Sequence, residues 1–478
     1  MAETENAGVE SSEPIVLDTS FFASLEEEFR EALALEKVDD AELTPDEPYK
    51  SKYEAREKYV WILKTLTEAA TKLENEPSKS NNDKLLRLVA CRATTLLHLG
   101  INAYETEEVS DGERHLRKCL ELIETKRLDP RFISHFMCAT NHSGIVWNLR
   151  KDNEKSLACF LKAKQAYVDY MDTFKDDGKK RAPDGLMRCF DEEMDHPSST
   201  DPKEENKRRQ EFETLQTHTL YFLAQSYERL GEKEQSAFCC HKTLLRQVKR
   251  ENEDLDVCDW SRNAAILSQY YVGIGAVKVA RHCLAAAAVM FGGEEFKTEV
   301  EDKEEARNRT AAEIKRCWAA LALSLLRYSR EAVIKENGGD RDPDVTDEML
   351  EALKTNVDED VSESALSFVE EGSRLDKEKV ADQESKVDVL FIQRFDDART
   401  VFLFGTNCLE DAKSFYTKDS YCSDYVAILQ STSQFYKALA DFEPDVGRKC
   451  KMQKRRIDLL SEILKVSTRK SSQGSCPF

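Results

Sequence analysis

Few residues in this chain have types and spacings that could do chemistry. Cys239, Cys240 and His241 stand in a row and carry soft side chains that suit a metal ion. A zinc site needs a second pair of ligands at a fitting distance, and the sequence shows none. Cys240 also falls where two predicted helices pack, so we interpret its thiol as a small core side chain. We therefore expect no metal and no other cofactor.

Nucleophilic catalysis finds equally little support. The eight histidines are scattered, and His115, His142 and His282 have no nucleophile at the spacing of a catalytic motif. The sequence also lacks the phosphate-binding loop GxxxxGK[ST], the dinucleotide fingerprint GxGxxG after a strand, HExxH and GxSxG. These observations predict a protein that is not an enzyme. A site that the fold assembles from distant histidines and acids is the alternative.

The strongest pattern concerns the elements that would position any site, and it occurs four times. In each copy a small residue is followed three residues later by an apolar one. Another small residue comes nine residues after that. A bulky residue follows four residues later, and a last small residue comes three residues after the bulky one. This spacing is typical of a tetratricopeptide helix pair, in which small residues let two backbones approach. The copies are Leu99, Gly100, Ala103, Gly112, Leu116 and Cys119; Ser143, Gly144, Trp147, Ser156, Phe160 and Ala163; Leu223, Ala224, Tyr227, Ser236, Cys240 and Thr243; and Leu267, Ser268, Tyr271, Ala280, Leu284 and Ala287.

We therefore predict an all-α fold, a tetratricopeptide-like α-solenoid of antiparallel helix pairs. One pair cannot bury its apolar face alone, so pairs stack. The predicted parts are a disordered N-terminus at 1–17, an N-terminal solenoid at 18–292 with an acidic loop at 175–210, an incomplete second helical subdomain at 293–465 with an acidic linker at 293–308 and an acidic insertion at 335–385, and a disordered tail at 466–478. Helices are expected at Ser20–Lys37 and Glu313–Arg330.

The net charge limits the classes of partner that the chain could bind. The net charge is −21, the pI is near 5.1 and 34% of the residues are charged. Nucleic acid and an anionic membrane would repel such a chain, whereas a basic protein surface would attract it. A groove of helix pairs that binds another protein fits these values, and we expect the protein to be a monomer.

The location is predicted to be cytosolic. Met1–Pro14 is polar and has no apolar core, unlike a signal peptide. The longest apolar run, Cys283–Phe291, is too short to cross a bilayer, so no membrane insertion is expected. The 14 cysteines include no CxxC pair, and we interpret Cys119, Cys240 and Cys283 as buried reduced thiols.

The candidate binding residues lie on the third and fourth helix pairs. Their inner helices carry Phe222, Gln225, Asn263 and Gln269, and Gln247 lies at the end of an outer helix. Amides and aromatic rings suit recognition of a helix or loop through hydrogen bonds and apolar contact. Ordinary solvated glutamines are the alternative.

Several segments together carry a resemblance to a known family. They are EPYKSKY at 47–53, HLGINAYETEEVSDGERHL at 98–116, YFLAQSYERL at 221–230, NAAILSQYY at 263–271, ARHCLAAA at 280–287 and GRKCKMQKRRI at 447–457. From about residue 18 to 460 the chain resembles the KIF-binding protein family. The resemblance implies a right-handed solenoid that grips the motor domains of some kinesins and keeps them off microtubules. It also implies effects on mitochondrial and vesicle transport and on neuronal outgrowth.

The resemblance assigns roles to particular residues. Gln225 and Gln247 match glutamines of the groove that contacts the motor's tubulin-binding helix. Phe222 stands where a tyrosine is usual, and Ile266 stands where a hydroxyl residue is usual, so both contacts are in doubt. Family members continue well past GRKCKMQKRRI, so the resemblance implies a shortened chain whose motor binding is weakened.

Two interpretations of function follow. In the first, an acidic, non-catalytic, cytoskeleton-associated solenoid competes for the basic face with which a kinesin motor holds acidic tubulin, and so blocks attachment to microtubules. In the second, the protein is a general tetratricopeptide adaptor that binds a peptide or an organelle receptor and contacts no motor.

Overall fold

The computed structural model describes residues 19–43, 46–74, 81–173, 182–190, 202–249, 255–293, 301–338, 342–355 and 366–471. These residues contain seventeen α-helices and no strand, which confirms the predicted all-α fold; Lys249 and Ser373 form one isolated antiparallel bridge. The helices are α1 (Thr19–Glu36), α2 (Asp40–Leu43), α3 (Lys50–Glu74), α4 (Asn81–Glu105), α5 (Val109–Ile123), α6 (Ile133–Leu149), α7 (Asn153–Thr173), α8 (Pro202–Arg229), α9 (Lys233–Gln247), α10 (Val257–Gly273), α11 (Val277–Phe291), α12 (Glu301–Glu336), α13 (Asp347–Thr355), α14 (Lys377–Glu384), α15 (Phe395–Phe415), α16 (Cys422–Phe442) and α17 (Val446–Ser471).

The chain divides into two compact units, residues 1–239 and 240–478. The division falls inside α9, and the predicted boundary after residue 292 lies within the second unit. In the first unit α4 pairs with α5 and α6 with α7; in the second, α10 pairs with α11 and α15 with α16.

Close backbone approach explains the repeated small residues. A Cβ atom on Gly100 would lie 2.7 Å from the Leu116 side chain, and one on Gly144 would lie 2.6 Å from the Phe160 ring. Real Cβ atoms do not come so close, so only glycine allows the two helices of each pair to approach this far. The Ser156 hydroxyl donates to the carbonyl oxygen of Gly144 at 2.9 Å. The repeat pattern therefore predicted these helix pairs correctly.

A dense polar contact fixes α3 to the turn between α4 and α5. Lys52 Nζ lies 2.8 Å from Glu105 Oε2, and Tyr53 donates to Glu108 Oε1 at 3.2 Å. Arg56 donates to Glu108 at 2.6 Å and to the buried Asn102 at 2.9 Å. We call this the α3–turn contact; it joins EPYKSKY and the following arginine to the segment ETEEV.

The first unit contains a short non-helical segment, residues 182–190, which we call the first strap. Phe190 is fully buried, with its ring centroid 5.1 Å from that of Phe29. Arg87 on α4 donates through Nε to the carbonyl oxygen of Cys189 at 2.8 Å and through Nη2 to that of Phe190 at 3.3 Å. The prediction of a charged loop at 175–210 is wrong for these residues, because one aromatic side chain and one arginine hold them on the core.

The first strap also brings thiols together. Cys91 on α4 donates to the carbonyl oxygen of Cys189 at 3.3 Å, and Thr94 Oγ1 lies 3.4 Å from Cys189 Sγ and 2.8 Å from His135 Nε2. Burial acts to raise the pKa of Cys189, but hydrogen bonds with Cys91, His135 and Thr94 outweigh it and lower this pKa to about 6. Burial raises the pKa of Cys91.

The second unit holds a comparable segment, residues 366–375, which we call the second strap. The Phe368 ring is fully buried and stacks on His241, with centroids 4.5 Å apart, and on His282, 5.8 Å away. His241 Nε2 donates to the carbonyl oxygen of Leu366 at 2.9 Å, and the Phe368 amide donates to His282 Nε2 at 2.9 Å. The opposite nitrogen of His282 lies 2.7 Å from Glu384 Oε1.

Helices also replace parts of the remaining predicted charged segments. Residues 202–210 begin α8, where Pro202 suits the first helical position and Glu204 and Glu205 lie in the first turn. The insertion predicted at 335–385 holds α13, α14 and the second strap, and α12 begins at Glu301, within the predicted linker, and contains the helix expected at Glu313–Arg330. The helix expected at Ser20–Lys37 is α1.

The predicted termini are covered only in part. Residues 466–471 continue α17, so the predicted disordered tail is wrong for them. Residues 1–17, 174–181, 191–201 and 472–478 lie outside the described residues. The thirteen cysteines of the described part form no disulfide bond with one another; Cys119 and Cys283 are buried and Cys240 is half-buried. Among the helices of that part, none is both long and apolar enough to traverse a bilayer.

Candidate protein-binding faces

The predicted binding residues are divided between the two units. Phe222 and Gln225 belong to α8 in the first unit, whereas Gln247 ends α9 and Asn263, Ile266 and Gln269 lie on α10 in the second. Each unit presents its own face, and the two faces are described separately.

The α8 face combines an aromatic pair with an amide. The Phe222 ring stacks on Phe160, with centroids 5.1 Å apart and planes 16° apart, so it belongs mainly to the packing of α7 against α8. Its neighbour Tyr221 is 49% exposed and meets Phe222 edge to face at 5.6 Å. Gln225 follows Phe222 by one turn and is half-buried.

Tyr221 is the residue that sequence reasoning missed on this face. It precedes Phe222 in YFLAQSYERL, and of these two aromatic residues the sequence analysis names only Phe222 as a candidate binding residue. The contact of Phe222 with Phe160 turns the phenylalanine inward, which leaves Tyr221 to offer both a ring and a hydroxyl to solvent. No pattern along α8 alone could have found it, because the contact that turns Phe222 inward comes from Phe160 on α7.

The α10 face is defined by Asn263 and Ile266. Asn263 is exposed, and Ile266, one turn later, is 56% exposed. The opposite side of the helix is buried through Ala264, Leu267 and Tyr271, because α10 packs against α11 and α12. Packing on that side leaves an amide and a large apolar side chain next to each other in water, an arrangement that suits contact with another protein.

The two remaining glutamines are placed differently. Gln269 donates through Nε2 to Ser268 Oγ at 2.9 Å and to the carbonyl oxygen of Cys317 on α12 at 3.3 Å. Its amide therefore ties α10 to α12, and a partner would have to compete with these bonds. Gln247 is half-buried at the last position of α9.

Four histidines of the described part serve as internal hydrogen-bond partners, namely His135, His142, His241 and His282. Tyr104 OH lies 2.7 Å from His142 Nδ1, and burial, with smaller contributions from His98 and His218, lowers the pKa of His142 to about 4. His241 is bonded through both ring nitrogens, to Tyr271 at 2.9 Å and to Leu366, so its imidazole has no lone pair free for a metal. Over the described residues, no cluster of three or more His, Cys, Asp or Glu side chains has a metal-binding arrangement.

Comparison with known proteins identifies relatives along almost the whole chain. The family "KIF-1 binding protein C terminal" matches residues 258–476. The KIF-binding protein of Gallus gallus is 37% identical over 453 residues, which cover 91% of this chain and 70% of the relative. That of Homo sapiens is 34% identical over 469 residues, covering 92% and 73%, and that of Drosophila melanogaster is 30% identical over 466 residues, covering 94% and 72%. A cryo-EM structure of the KIFBP core is 31% identical and covers 64% of this chain and 89% of its own, with a TM-score of 0.40.

Proposed function

This chain belongs to the KIF-binding protein family, and from that membership we propose that it is a non-catalytic protein that binds kinesin motor domains and blocks their attachment to microtubules. The observation that carries the proposal is the relationship itself: proteins named KIF-binding protein are 30–37% identical to this chain in alignments that cover about nine tenths of its length. Binding, rather than chemistry, is also what exposed amide and apolar side chains on helices can provide.

Charge supports competition with microtubules. Tubulin is acidic, so the face with which a motor holds its track must be basic. A chain with a net charge of −21 attracts the same face. Electrostatic steering of this kind speeds encounter and weakens as salt is added.

The two faces would then choose among motors. Tyr221 and Gln225 on α8, and Asn263 and Ile266 on α10, offer hydrogen-bonding groups beside apolar surface. Gln247 is proposed to contribute as well, while Phe222 and Gln269 hold their neighbours in place. Specificity would come from how well a motor satisfies the amides and covers Ile266.

The cellular consequences follow from this activity. A protein that removes motors from their tracks affects microtubule-based organelle transport, including that of mitochondria, the organisation of the microtubule cytoskeleton and the development of neurons. We place it in the cytoplasm, associated with the cytoskeleton, as a monomer that binds no nucleic acid.

A general adaptor function is the alternative. The exposed Tyr221 and Ile266 would also suit a peptide or a segment of an organelle receptor that docks on one face only. Such a protein would leave motors on their tracks, so the two functions are separated by one measurement.

That measurement is co-sedimentation of purified kinesin motor domains with microtubules, with and without the full chain. We expect the chain to move at least one motor from the pellet to the supernatant, and less so as salt is raised. Motors that all sediment unchanged would contradict the proposal and favour the adaptor.

Variants locate the contact. Ile266→Ala should weaken motor capture about tenfold or more, as expected for an apolar anchor. Leu403→Ala, which truncates an apolar side chain of α15 that is 46% exposed, is the matched control. Gln225→Ala with Gln247→Ala should also weaken capture. If this double variant and Ile266→Ala both bind motors like the unaltered chain, the proposed faces are wrong.

A further inference from the structure

The first strap holds two thiols against each other in the interior of the first unit. Cys91 on α4 is fully buried, and Cys189 on the strap is 3% exposed. The two side chains hydrogen-bond to each other, and Cys91 Sγ also lies 3.3 Å from the carbonyl oxygen of Cys189. We call these two residues the strap thiol pair. Because they are 98 positions apart in the chain, they meet only while the strap lies on α4.

The groups around Cys189 favour its thiolate. Thr94 Oγ1 lies 3.4 Å from Cys189 Sγ and 2.8 Å from His135 Nε2. Burial acts to raise the pKa of Cys189, but hydrogen bonds with Cys91, His135 and Thr94 outweigh it and lower this pKa. The thiolate is the form of cysteine that attacks a peroxide. The pair therefore combines a nucleophile with a second thiol that is already in contact with it.

The strap itself controls access to the pair. Cys189 belongs to the strap, so a small molecule reaches both sulfur atoms when this segment lifts from α4. The buried ring of Phe190 and the two hydrogen bonds from Arg87 hold this end of the strap in place. A short non-helical segment fixed by few groups opens more often than the helices beneath it. Hydrogen peroxide is small and uncharged, which allows it to enter during such openings.

Neither a metal ion nor another buried thiol fits the local geometry as well. Over the part of the chain that the structure describes, no His, Cys, Asp or Glu joins the pair in a metal-binding arrangement, whereas a disulfide needs only the two sulfur atoms. Cys119 is also buried in the first unit, but its thiol donates to the carbonyl oxygen of Ala93 at 3.3 Å, and burial raises its pKa. Cys119 therefore serves as the unreactive reference.

We propose that the strap thiol pair is a reversible redox site: hydrogen peroxide oxidises Cys189, Cys91 then forms a disulfide with it, and this bond locks the first strap on α4. The site lies in the interior of the first unit and does not depend on the binding of a motor.

The reaction balances in two steps. The Cys189 thiolate attacks one peroxide oxygen, an S–O bond forms as the O–O bond breaks, and the departing hydroxide takes up the proton that Cys189 had released and leaves as water. Cys91 then attacks the sulfenic sulfur, an S–S bond forms as the S–O bond breaks, and the second hydroxide leaves as water with the proton of Cys91. Two thiols and one hydrogen peroxide thus give one disulfide and two waters. A dithiol reductant reverses the change by exchange.

Peptide mapping of the full chain tests the bond. The reduced chain is treated with hydrogen peroxide, its remaining thiols are blocked with N-ethylmaleimide in denaturant, and it is digested with trypsin without reductant. Trypsin releases residues 88–92 and 189–203, each of which contains one cysteine. We expect these two peptides to be joined by a disulfide that dithiothreitol removes. Their absence from a chain that was folded during oxidation, or a bond from Cys189 to another cysteine, would overturn the proposal.

Variants establish the order of the two steps. In Cys91→Ala the sulfenic acid on Cys189 has no thiol beside it, so dimedone should label Cys189 at least about tenfold more than in the unaltered chain. Cys189→Ser should lose the linked peptides and leave Cys91 unlabelled, whereas Cys119→Ser, the matched control, should keep them. Circular dichroism checks that the variants stay folded. Labelling of Cys91 instead of Cys189, or loss of the linked peptides in Cys119→Ser, would contradict the assigned roles.

The anchoring ring tests the control of access. Phe190→Ala should speed formation of the disulfide at least about tenfold, because the strap opens more often without its ring. Phe368→Ala removes the corresponding ring from the second strap and should leave the rate unchanged. In the unaltered chain, the disulfide should slow amide hydrogen exchange in residues 182–190 at least about tenfold. Equal oxidation rates in the two variants, or exchange that oxidation does not slow, would refute a lock on the first strap.

Discussion

The two straps are both short non-helical segments fixed by a fully buried phenylalanine, yet different side chains hold their backbones. In the first strap a guanidinium, which stays charged at all ordinary pH values, bonds the carbonyl oxygens of Cys189 and Phe190. In the second strap two imidazoles make the bonds: His282 accepts from the amide of Phe368, and His241 donates to the carbonyl oxygen of Leu366. The two units therefore hold similar segments with different groups, a guanidinium in the first and imidazole rings in the second.

Because the holding groups differ, the two straps respond differently to pH. Acid does not change the charge of an arginine, so it does not break the arginine's hydrogen bonds. A buried neutral histidine such as His241 loses an acceptor nitrogen and gains a buried charge when it is protonated. The first strap has its own titrating group, the Cys189 thiol, whose contribution to stability grows as the pH rises towards about 9. The two units should consequently lose stability in different pH ranges.

Removal of the anchoring ring tests what the straps have in common. Phe190→Ala and Phe368→Ala should each cost about 3–5 kcal/mol in the free energy of unfolding, because both rings are fully buried. Hydrogen exchange should rise in α4 for the first variant and in α11 for the second. Phe238→Ala, at a ring 49% exposed, should cost less than about 1 kcal/mol. A small effect of either buried substitution would show that its strap is not an integral part of the core.

Removal of the arginine tests the first clamp. Arg87→Leu would remove both guanidinium bonds and leave the Cys189 carbonyl with only the weak donor of the Cys91 thiol, at a cost on the order of 3 kcal/mol. A lysine ammonium lacks the planar pair of N–H groups with which the guanidinium reaches both carbonyl oxygens. Arg87→Lys should therefore recover only part of the lost free energy of unfolding. Denaturant titrations of the three proteins measure the effect. Full recovery by lysine would mean that charge alone, and not the paired hydrogen bonds, holds the strap.

Acid should weaken the second strap. Burial lowers the pKa of His241 to about 4, from an ordinary value near 6.5. Between these values the unfolded chain binds a proton that the folded chain excludes, so stability is full above about pH 6.5 and falls as the pH drops towards 4, by at most about 3 kcal/mol. Trp260, whose ring centroid lies 5.4 Å from that of Phe368, reports the change by fluorescence.

A substitution isolates this contribution from that of His142, which titrates in the first unit. His241→Gln keeps hydrogen-bonding groups and removes the titration, so the acid slope of the Trp260 signal should flatten. An unchanged slope would assign the sensitivity to another group.

Mild alkali should strengthen the first strap, and this is the smallest expected effect. The pKa of Cys189 is lowered from an ordinary 9.0, so the fold favours the thiolate. Its contribution is complete above about pH 9 and is lost as the pH falls through the lowered pKa, so the free energy of unfolding should rise between pH 7 and 9. Cys189→Ser should remove that rise in the unfolding free energy. A rise that persists in the variant would contradict the role of this thiol.

The sequence allowed the helix pairs to be predicted but not the straps. Gly100 with Leu116, and Gly144 with Phe160, are close in sequence and recur at one spacing, so local pattern is enough to find them. Phe190 and Phe368 are single aromatic residues within charged segments. Their burial depends on α4 and on α9 to α11, about a hundred residues away, and no local pattern encodes such a contact.

The candidate faces show the same limit at the level of single side chains. Ile266 was named from the sequence and is exposed. Phe222 and Gln269 were named for the same groove, yet Phe222 stacks on Phe160 and Gln269 bonds α12. A helix pattern shows which side of α8 or α10 faces outward to within about one residue, and that is too coarse to separate Phe222 from Tyr221.

The α3–turn contact has a consequence for how descent is traced. EPYKSKY and ETEEV, two segments that identify the family, meet each other through Lys52, Tyr53 and Arg56 and so record a requirement of folding. A family member that no longer bound any of the family's partner proteins would still need the residues of this contact in order to fold. Identity in these two segments therefore indicates common descent. Whether a relative still binds the same partner has to be judged from the exposed side chains of α8 and α10.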